Sequence, residues 1–270
     1  MYLVFDVGGT TMRVAGSPDG RVLGDMSAGP TPKKYKQGVA ALIEKLRWAS
    51  GNKPIVRTGG GIAGVVEQKK GLLLASPNLP DWVEKPLKND LEKGLGCQVV
   101  LENDAAVAGL GEATVGAGRR KSIVAYLTVG TGIGGARIVN GKIDARAMGF
   151  EPGQQIINVD GQVDYWENFA SGTAIFKIHG KRGENIKDPQ VWENEARLLA
   201  IGVHNTCVMW SPEIVIIGGS VMQSVSFEKL GVLVNEQLKI FTKVPEIVPA
   251  QLGEKSGFYG GLILAGGGEF

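Results

Sequence analysis

Two glycine-rich segments each follow an apolar run: Asp6-Val7-Gly8-Gly9-Thr10-Thr11 and Gly130-Thr131-Gly132-Ile133-Gly134-Gly135. Where side chains are missing, successive backbone N–H groups can converge on one anion, and threonine hydroxyls add donors. A chain of phosphates is the ligand such a pair fits. Asp6 cannot hold phosphate itself, because like charges repel. It belongs beside one only with a divalent cation interposed, as Mg²⁺ is in phosphoryl-transfer sites. The third candidate is Asp104, beside Asn103. An isolated Asp at a strand-to-helix junction is commonly an N-cap. It can also be the general base for a hydroxyl attacking a phosphoryl group, with Asn103 orienting that hydroxyl. The competing reading of each glycine loop is a tight turn that needs positive φ. Two such loops in matching places of two halves favour phosphate. The second loop also fits G-x-G-x-x-G, but a nicotinamide dinucleotide loop must run straight into a helix. Here Ala136–Val139 reads as a strand, followed by Asn140-Gly141, a two-residue hairpin signal.

These residues need a frame. Residues 2–7 and 10–15 read as strands, Ser17-Pro18-Asp19-Gly20 as a turn, and 21–26 as a third strand. A helix is expected over 31–50, with Val39, Leu42, Ile43 and Leu46 on one face. A short strand at 54–57 enters the loop Thr58-Gly59-Gly60-Gly61, and a helix covers 87–95. A strand at 98–101 leads to Asn103 and Asp104, which open an Ala-rich helix to about Val115. The second half repeats the plan: a strand at 122–128, a glycine loop, a strand at 136–139, a hairpin and 142–143. Helices then follow at 166–180 and 190–210, a strand at 213–217, a helix at 226–240, a strand at 246–248 and a final helix at 256–268. A duplicated meander of this kind is not the βαβ opening of a dinucleotide fold. The duplication alone puts a boundary near 112–118.

Composition narrows the classes. A chain of 270 residues makes one large domain or two small ones. With 29 Lys+Arg against 27 Asp+Glu, the charge is too balanced for a protein that coats nucleic acid or an anionic membrane. Glycine supplies 41 residues, about twice its usual ~7% share. No run reaches the ~18 apolar residues of a membrane span. The N-terminus lacks a basic stretch and carries Asp6 within its apolar run, which argues against a signal peptide. A cytoplasmic protein is expected. Two cysteines, Cys97 and Cys207, and two histidines, His179 and His204, leave no material for a disulfide framework or a Cys/His zinc site. Both histidines read as structural, Trp82 as a packing residue, and Lys33, Lys34 and Lys36 as a solvated face.

Five ordered elements resemble the ROK family (repressor, open reading frame, kinase): Asp6-Val-Gly-Gly-Thr10, Ser76-Pro-Asn78-Leu-Pro80-Asp-Trp82, Leu101-Glu-Asn-Asp104-Ala, Val129-Gly-Thr-Gly-Ile-Gly-Gly135 and Pro212-Glu-Ile-Val-Ile-Ile-Gly-Gly219. The resemblance spans nearly the whole chain. It implies an α/β, two-lobed actin-like or ribonuclease H-like fold, each lobe a mixed sheet flanked by helices, with ATP and sugar in the cleft between the lobes. The expected N-terminal lobe is 1–112 plus 253–270, and the C-terminal lobe is 113–252. Carried over position by position, Asp6 matches the aspartate associated with Mg²⁺, through water. Gly8, Gly9, Thr10 and Thr11 match the first phosphate loop, and Gly130, Thr131 and Gly132 the second. Asp104 matches the catalytic base. Asn78, Asn103, Asp104, Glu151 and Glu167 match positions contacting the sugar, while Gly218 and Gly219 lie in the adenosine region.

The implied activity is ATP-dependent phosphorylation of a hexose, at O6. Alternatives are another sugar, such as an N-acetylhexosamine or fructose, a non-sugar hydroxyl, or a sugar-sensing scaffold on the same fold. Two departures bear on this. Gln154 stands where the family has histidine beside the sugar, and the cysteine-rich zinc loop that follows is missing, so no zinc is expected. The basic residue often seen after the first loop is also replaced, by Thr11-Met12-Arg13. No helix-turn-helix segment precedes Met1, which disfavours the repressor branch. Family members often dimerise, so a homodimer is compatible with the resemblance.

Overall fold

The apolar N-terminal run becomes β1 (Tyr2–Val7) in the computed structural model, which describes residues 1–266. It is followed by β2 (Thr11–Ser17), β3 (Met26–Pro30), α1 (Tyr35–Ser50), β4 (Arg57–Ile62), the hairpin β5 (Val65–Glu67) and β6 (Leu72–Ala75), α2 (Leu87–Leu95), β7 (Gln98–Asn103) and α3 (Asp104–Thr114). The second half holds β8 (Ile123–Val129), β9 (Ile133–Val139), β10 (Lys142–Ile143), β11 (Ile156–Val159), β12 (Gln162–Tyr165), α4 (Trp166–Phe169), α5 (Gly172–His179), α6 (Pro189–Trp210), β13 (Ile214–Gly218), α7 (Phe227–Gln237) and β14 (Glu246–Pro249). The helix α8 (Ser256–Leu264) follows.

The chain divides into two units: Met1–Val115 with Ala145–Gly149 and the segment from Glu254 onward, and Gly116–Asp144 with Phe150–Gly253. Their sheets share one topology. The first has the order β3-β2-β1-β4-β7, the second β10-β9-β8-β13-β14. In each, a central strand pairs antiparallel with the next strand and parallel with a later one: β1 with β2 and β4, β8 with β9 and β13. The doubled meander-first α/β plan expected from sequence is therefore present, with helices flanking both mixed sheets. Each unit has its own apolar core, one around Phe5, Leu42, Leu46 and Trp82, the other around Leu127, Trp166, Leu199 and Ile217. Trp82 packs as expected, fully buried and edge-on to Tyr35 at 5.7 Å. Among the described residues no helix is long and apolar enough to cross a membrane.

Five element expectations differ from the structure. The third strand is Met26–Pro30, not 21–26. Asp19 Oδ1 accepts the N–H groups of Arg21 and Val22, both at 2.9 Å, and Gly24 N donates to Gly16 O at 2.8 Å; an Asx-type turn thus absorbs the residues expected to pair. The first helix begins at Tyr35 rather than 31, because Thr31 is held by the first glycine loop. Its N–H donates to Thr10 O and its Oγ1 to Gly8 O, each at 2.8 Å. The helix expected at 166–180 is two, because Gly172 N turns to Gly130 O at 2.7 Å and Ser171 Oγ caps α5 at Ala174 N. The final helix ends at Leu264; positions 267 and 268 lie outside the described residues.

The glycine run Thr58–Gly61 is the interior of a strand, not a loop. Gly59 and Gly60 pair with Val4 and Phe5. A Cβ on Gly59 would lie 2.3 Å from Gly261 O, and one on Gly60 2.2 Å from Phe5 O. Gly59 lets α8 lie directly on the sheet, and Gly60 makes room for Phe5. The same device joins α8 to α3, where a Cβ on Gly260 would sit 1.8 Å from Val107 O. Backbone cannot retreat as a side-chain tip can, so Gly260→Ala is expected to cost about 1–3 kcal/mol. Thermal denaturation of the variant checks this; an unchanged midpoint would contradict it.

Glu195 on α6 is the carboxyl of the second unit that burial shifts furthest upward. It is 3% exposed, and burial raises its carboxyl to about 8. The folded state then binds a proton that the unfolded state has released, from the ordinary carboxylate range up to about pH 8. Stability contributed by the protonated form is therefore lost as pH rises through that window. Urea midpoints measured at pH 5.5 and 8.5 should fall with pH in the wild type, and Glu195→Gln should flatten that difference.

Candidate functional site

In the first unit the strand register brings the candidate residues to one edge of one sheet. Asp6 of β1 pairs with Gly61 of β4, which pairs with Glu102 of β7. The first glycine loop leaves β1 here and α3 leaves β7 here, so the loop and Asp104 stand two strands apart. That is about 10 Å at the usual ~4.8 Å strand spacing. Gly61 admits the helix start: a Cβ there would lie 2.7 Å from Asp104 Cα.

Neither Gly8 nor Gly9 has positive φ, nor have Gly130 and Gly132. The tight-turn explanation of these glycines therefore fails. Gly8 N donates to Thr11 O at 3.0 Å, leaving Gly9 and the exposed Thr10 at the bend. Gly9 is required by close packing, since its Cβ would lie 2.4 Å from Asn78 Cβ. The candidate sugar contact Asn78 thus rests on the phosphate-loop candidate. Lys33 is exposed, as the sequence implies, and also reaches this point: its Nζ donates to Gly9 O at 2.5 Å and Asn78 O at 3.1 Å. Nothing in its local pattern signalled that.

Asp6 is largely enclosed, and burial raises its carboxyl above the ordinary range against the opposing pull of Arg13. Arg13 Nη1 stands 3.4 Å from Asp6 Oδ2 and Nη2 3.2 Å from Glu254 Oε1. Asp6 and Arg13 face each other across the β1–β2 register, which puts the guanidinium where no base follows the loop itself. No group of three or more His, Cys, Asp or Glu side chains gathers among the described residues. Mg²⁺ held mainly by phosphate oxygens and water needs only one or two carboxylates, and an enclosed carboxylate at a glycine loop fits that donor set.

Asn103 caps α3, its Oδ1 accepting from Ala106 N at 2.9 Å while its Nδ2 donates to Gly64 O at 3.0 Å. One N–H and one lone pair of the amide remain for a substrate hydroxyl. Asp104, the first helical residue, accepts from Ala105 N at 2.8 Å. Beneath them Glu102, 3% exposed, accepts the Asn103 N–H at 2.7 Å and is bonded by Gln68 Nε2 and Arg146 Nη2. This buried anchor was not found from sequence, for Arg146 comes from the separate segment Ala145–Gly149.

In the second unit Gly130 differs from Gly9. A Cβ there meets nothing within 4 Å, so neither conformation nor packing explains the glycine. The loop is tethered to α5, as Thr131 O accepts Thr173 Oγ1 at 2.7 Å. Gly132 lies against Glu167: a Cβ there would be 2.6 Å from Oε2 at the tip of that side chain, and the same oxygen accepts Ile133 N at 3.1 Å. Glu167 Oε1 is bonded by Gln154 Nε2. The expected sugar contacts Glu167 and Gln154 are therefore joined to the second loop. Burial, and then the nearby Glu167, raise the carboxyl of Glu151; a neutral amide at 154 cannot offset that repulsion. Gly218 ends β13, and Gly219 has φ 98° with its Cβ position 2.2 Å from Val129 O. Its own backbone requires this glycine.

The model of the ROK family matches residues 2–267. The glucokinase of Thermotoga maritima is 30% identical, covering 96% of this chain and 95% of its own. The N-acetyl-D-glucosamine kinase of Escherichia fergusonii is 28% identical over 98% and 99%. Among solved structures, a ROK family glucokinase from Streptomyces griseus, in complex with glucose and AMPPNP, superposes with a TM-score of 0.85. It is 27% identical and covers 99% of both chains.

Proposed function

The chain belongs to the ROK family, and from that we propose that it is an ATP-dependent sugar kinase acting on a hexose at O6. The observation that carries this reading is the sheet edge of the first unit, where Asp104 and the first glycine loop stand two strands apart. The similar glucokinase held with glucose and AMPPNP supports the substrate pair. Asn78, Asn103, Glu151, Gln154 and Glu167 bind the sugar hydroxyls. Gly8, Gly9, Thr10 and Thr11, with Gly130, Thr131 and Gly132, take the phosphates, and Gly218 and Gly219 lie along the adenosine. Residues 1–112 with 253–270 carry the base, while 113–252 carry the nucleoside side. Asp104 accepts the proton of the attacking hydroxyl, the hydroxyl oxygen bonds the γ-phosphorus in line, and the bond from that phosphorus to the β,γ-bridging oxygen breaks, so that ADP leaves. Loop N–H groups and threonine hydroxyls stabilise the charge that spreads over the equatorial oxygens. Asp6 would hold Mg²⁺ through water, and the ion, when bound with the nucleotide, offsets phosphate charge. Gly130 carries no Cβ because the phosphate approaches there.

A second reading, a sugar sensor, draws on Gln154, which supplies an amide where the family has a histidine. ADP release measured over hexoses and N-acetylhexosamines separates the two. The kinase reading predicts turnover with at least one sugar; binding without turnover for every sugar would replace it with the sensor.

A further inference from the structure

Three consecutive carbonyls of the first glycine loop are held by one short segment. Thr31 Oγ1 donates to Gly8 O and Thr31 N to Thr10 O, each at 2.8 Å, and Lys33 Nζ donates to Gly9 O at 2.5 Å. The segment is fixed in turn by residues that follow Asn78. Pro32 O accepts Trp82 Nε1 at 3.3 Å, and Asp81 Oδ2 accepts Tyr35 N at 2.9 Å. The amides of the loop are in the opposite condition. Gly8 N donates to Thr11 O, but the N–H groups of Gly9 and Thr10 meet no protein acceptor among the described residues. Two successive backbone donors and the hydroxyl of the exposed Thr10 are thus available to an anion at the bend.

The positive charge at this place belongs to Lys33. Residues 7–12 contain no Lys or Arg, and Arg13 is paired with Asp6 and Glu254. Lys121 and Lys229 each pair with a glutamate, at 2.6 and 2.7 Å. Lys33 forms no ion pair among the described residues. Its partners are the carbonyls of Gly9 and, at 3.1 Å, Asn78. An ammonium has three donors and no acceptor, so one donor remains and no carboxylate offsets the charge. Holding two carbonyls accounts for the two bonds, but not for an open cation beside two open amides. Gly9 packs on Asn78, so the ammonium stands where the phosphate-loop candidate meets the sugar candidate. A nucleotide lying along the loop has its terminal phosphate at that end.

Resting on the kinase reading, we propose that Lys33 is a catalytic residue of the transfer: its ammonium binds the γ-phosphoryl group at the junction of Gly9 and Asn78. There it stabilises the negative charge of that group while the phosphorus passes from the β,γ-bridging oxygen to the sugar hydroxyl oxygen. The lysine gives up no proton and forms no bond to phosphorus. ADP leaves with the bridging oxygen, and the hydroxyl proton goes to Asp104. The inner two phosphates are bound without Lys33.

The test is calorimetric titration of the full chain with AMPPNP and with ADP, each with Mg²⁺ at constant ionic strength. Lys33→Met should weaken AMPPNP by ~10–100-fold, the usual effect of one hydrogen bond to a charged group, and ADP by less than ~3-fold. Lys33→Arg should restore most of the AMPPNP affinity. Lys93→Met, which removes an exposed charge on α2, should leave both affinities unchanged. In ADP release, Lys33→Met should lower kcat at constant sugar affinity. The proposal is overturned if Lys33→Met binds AMPPNP like wild type, or if it loses the same factor for ADP and AMPPNP, which is the result for a residue that only holds the loop. Wild-type protein that binds neither nucleotide would overturn the kinase reading and this proposal together; wild-type turnover unaltered in Lys33→Met would overturn this proposal alone.

Discussion

Asp104→Asn should lower turnover by about 10²–10⁴-fold while leaving the fold and sugar affinity close to wild type. The amide has the same shape and keeps an oxygen for the Ala105 N–H that the carboxylate accepts at 2.8 Å. The helix cap is supplied by Asn103, not by Asp104, so the start of α3 does not depend on the charge. What the variant loses is the capacity to take a proton. The discriminating measurement is therefore a pair: kcat by ADP release and sugar affinity by calorimetry, on the same protein. A fall in kcat at constant affinity assigns Asp104 to proton transfer. Near-normal turnover would remove it from the mechanism.

Arg146→Met should destabilise the protein by about 3–5 kcal/mol, the usual cost of removing one partner of a buried pair. Glu102 has a side chain only 4% exposed and Arg146 one 13% exposed. Without the guanidinium, the Glu102 charge retains Gln68 and the Asn103 N–H but no cation in that pair. The effect should reach the site, because Glu102 holds the backbone of Asn103, immediately before Asp104. Adding Glu102→Gln to Arg146→Met should recover part of the loss, since the uncompensated charge is then gone. Urea unfolding of the wild type, both single variants and the double variant measures this. A loss under ~1 kcal/mol for Arg146→Met would mean that the pair contributes no more than an exposed one.

Local patterns carried the plan of the fold and not its long-range contacts. The meander in each half was legible because strands alternate or run apolar and hairpins have specific turn residues; Asn140 and Gly141 indeed sit at φ 50° and 69°. Thr58–Gly61 misled because glycine within a strand looks like a loop until one knows what packs against it, here Gly261 and Phe5. The Asp19 turn was placed correctly, but its side-chain bonds to two successive N–H groups lengthened it. Lys33 and the Glu102–Arg146 pair escaped notice because they depend on partners 24 to 45 residues away, which no short-range periodicity encodes. Gln154 was visible as a change of residue type. Its bond to Glu167, and through Glu167 its connection to Gly132 and Ile133, needed coordinates.

The transfer itself can be watched by ³¹P NMR of the wild-type protein with ATP, Mg²⁺ and glucose. The account predicts a new phosphomonoester resonance coupled to the two C6 protons of the sugar, growing as the γ-phosphate of ATP disappears. Appearance of inorganic phosphate alone, or a monoester on a different carbon, would contradict attack by the sugar O6 hydroxyl on the nucleotide.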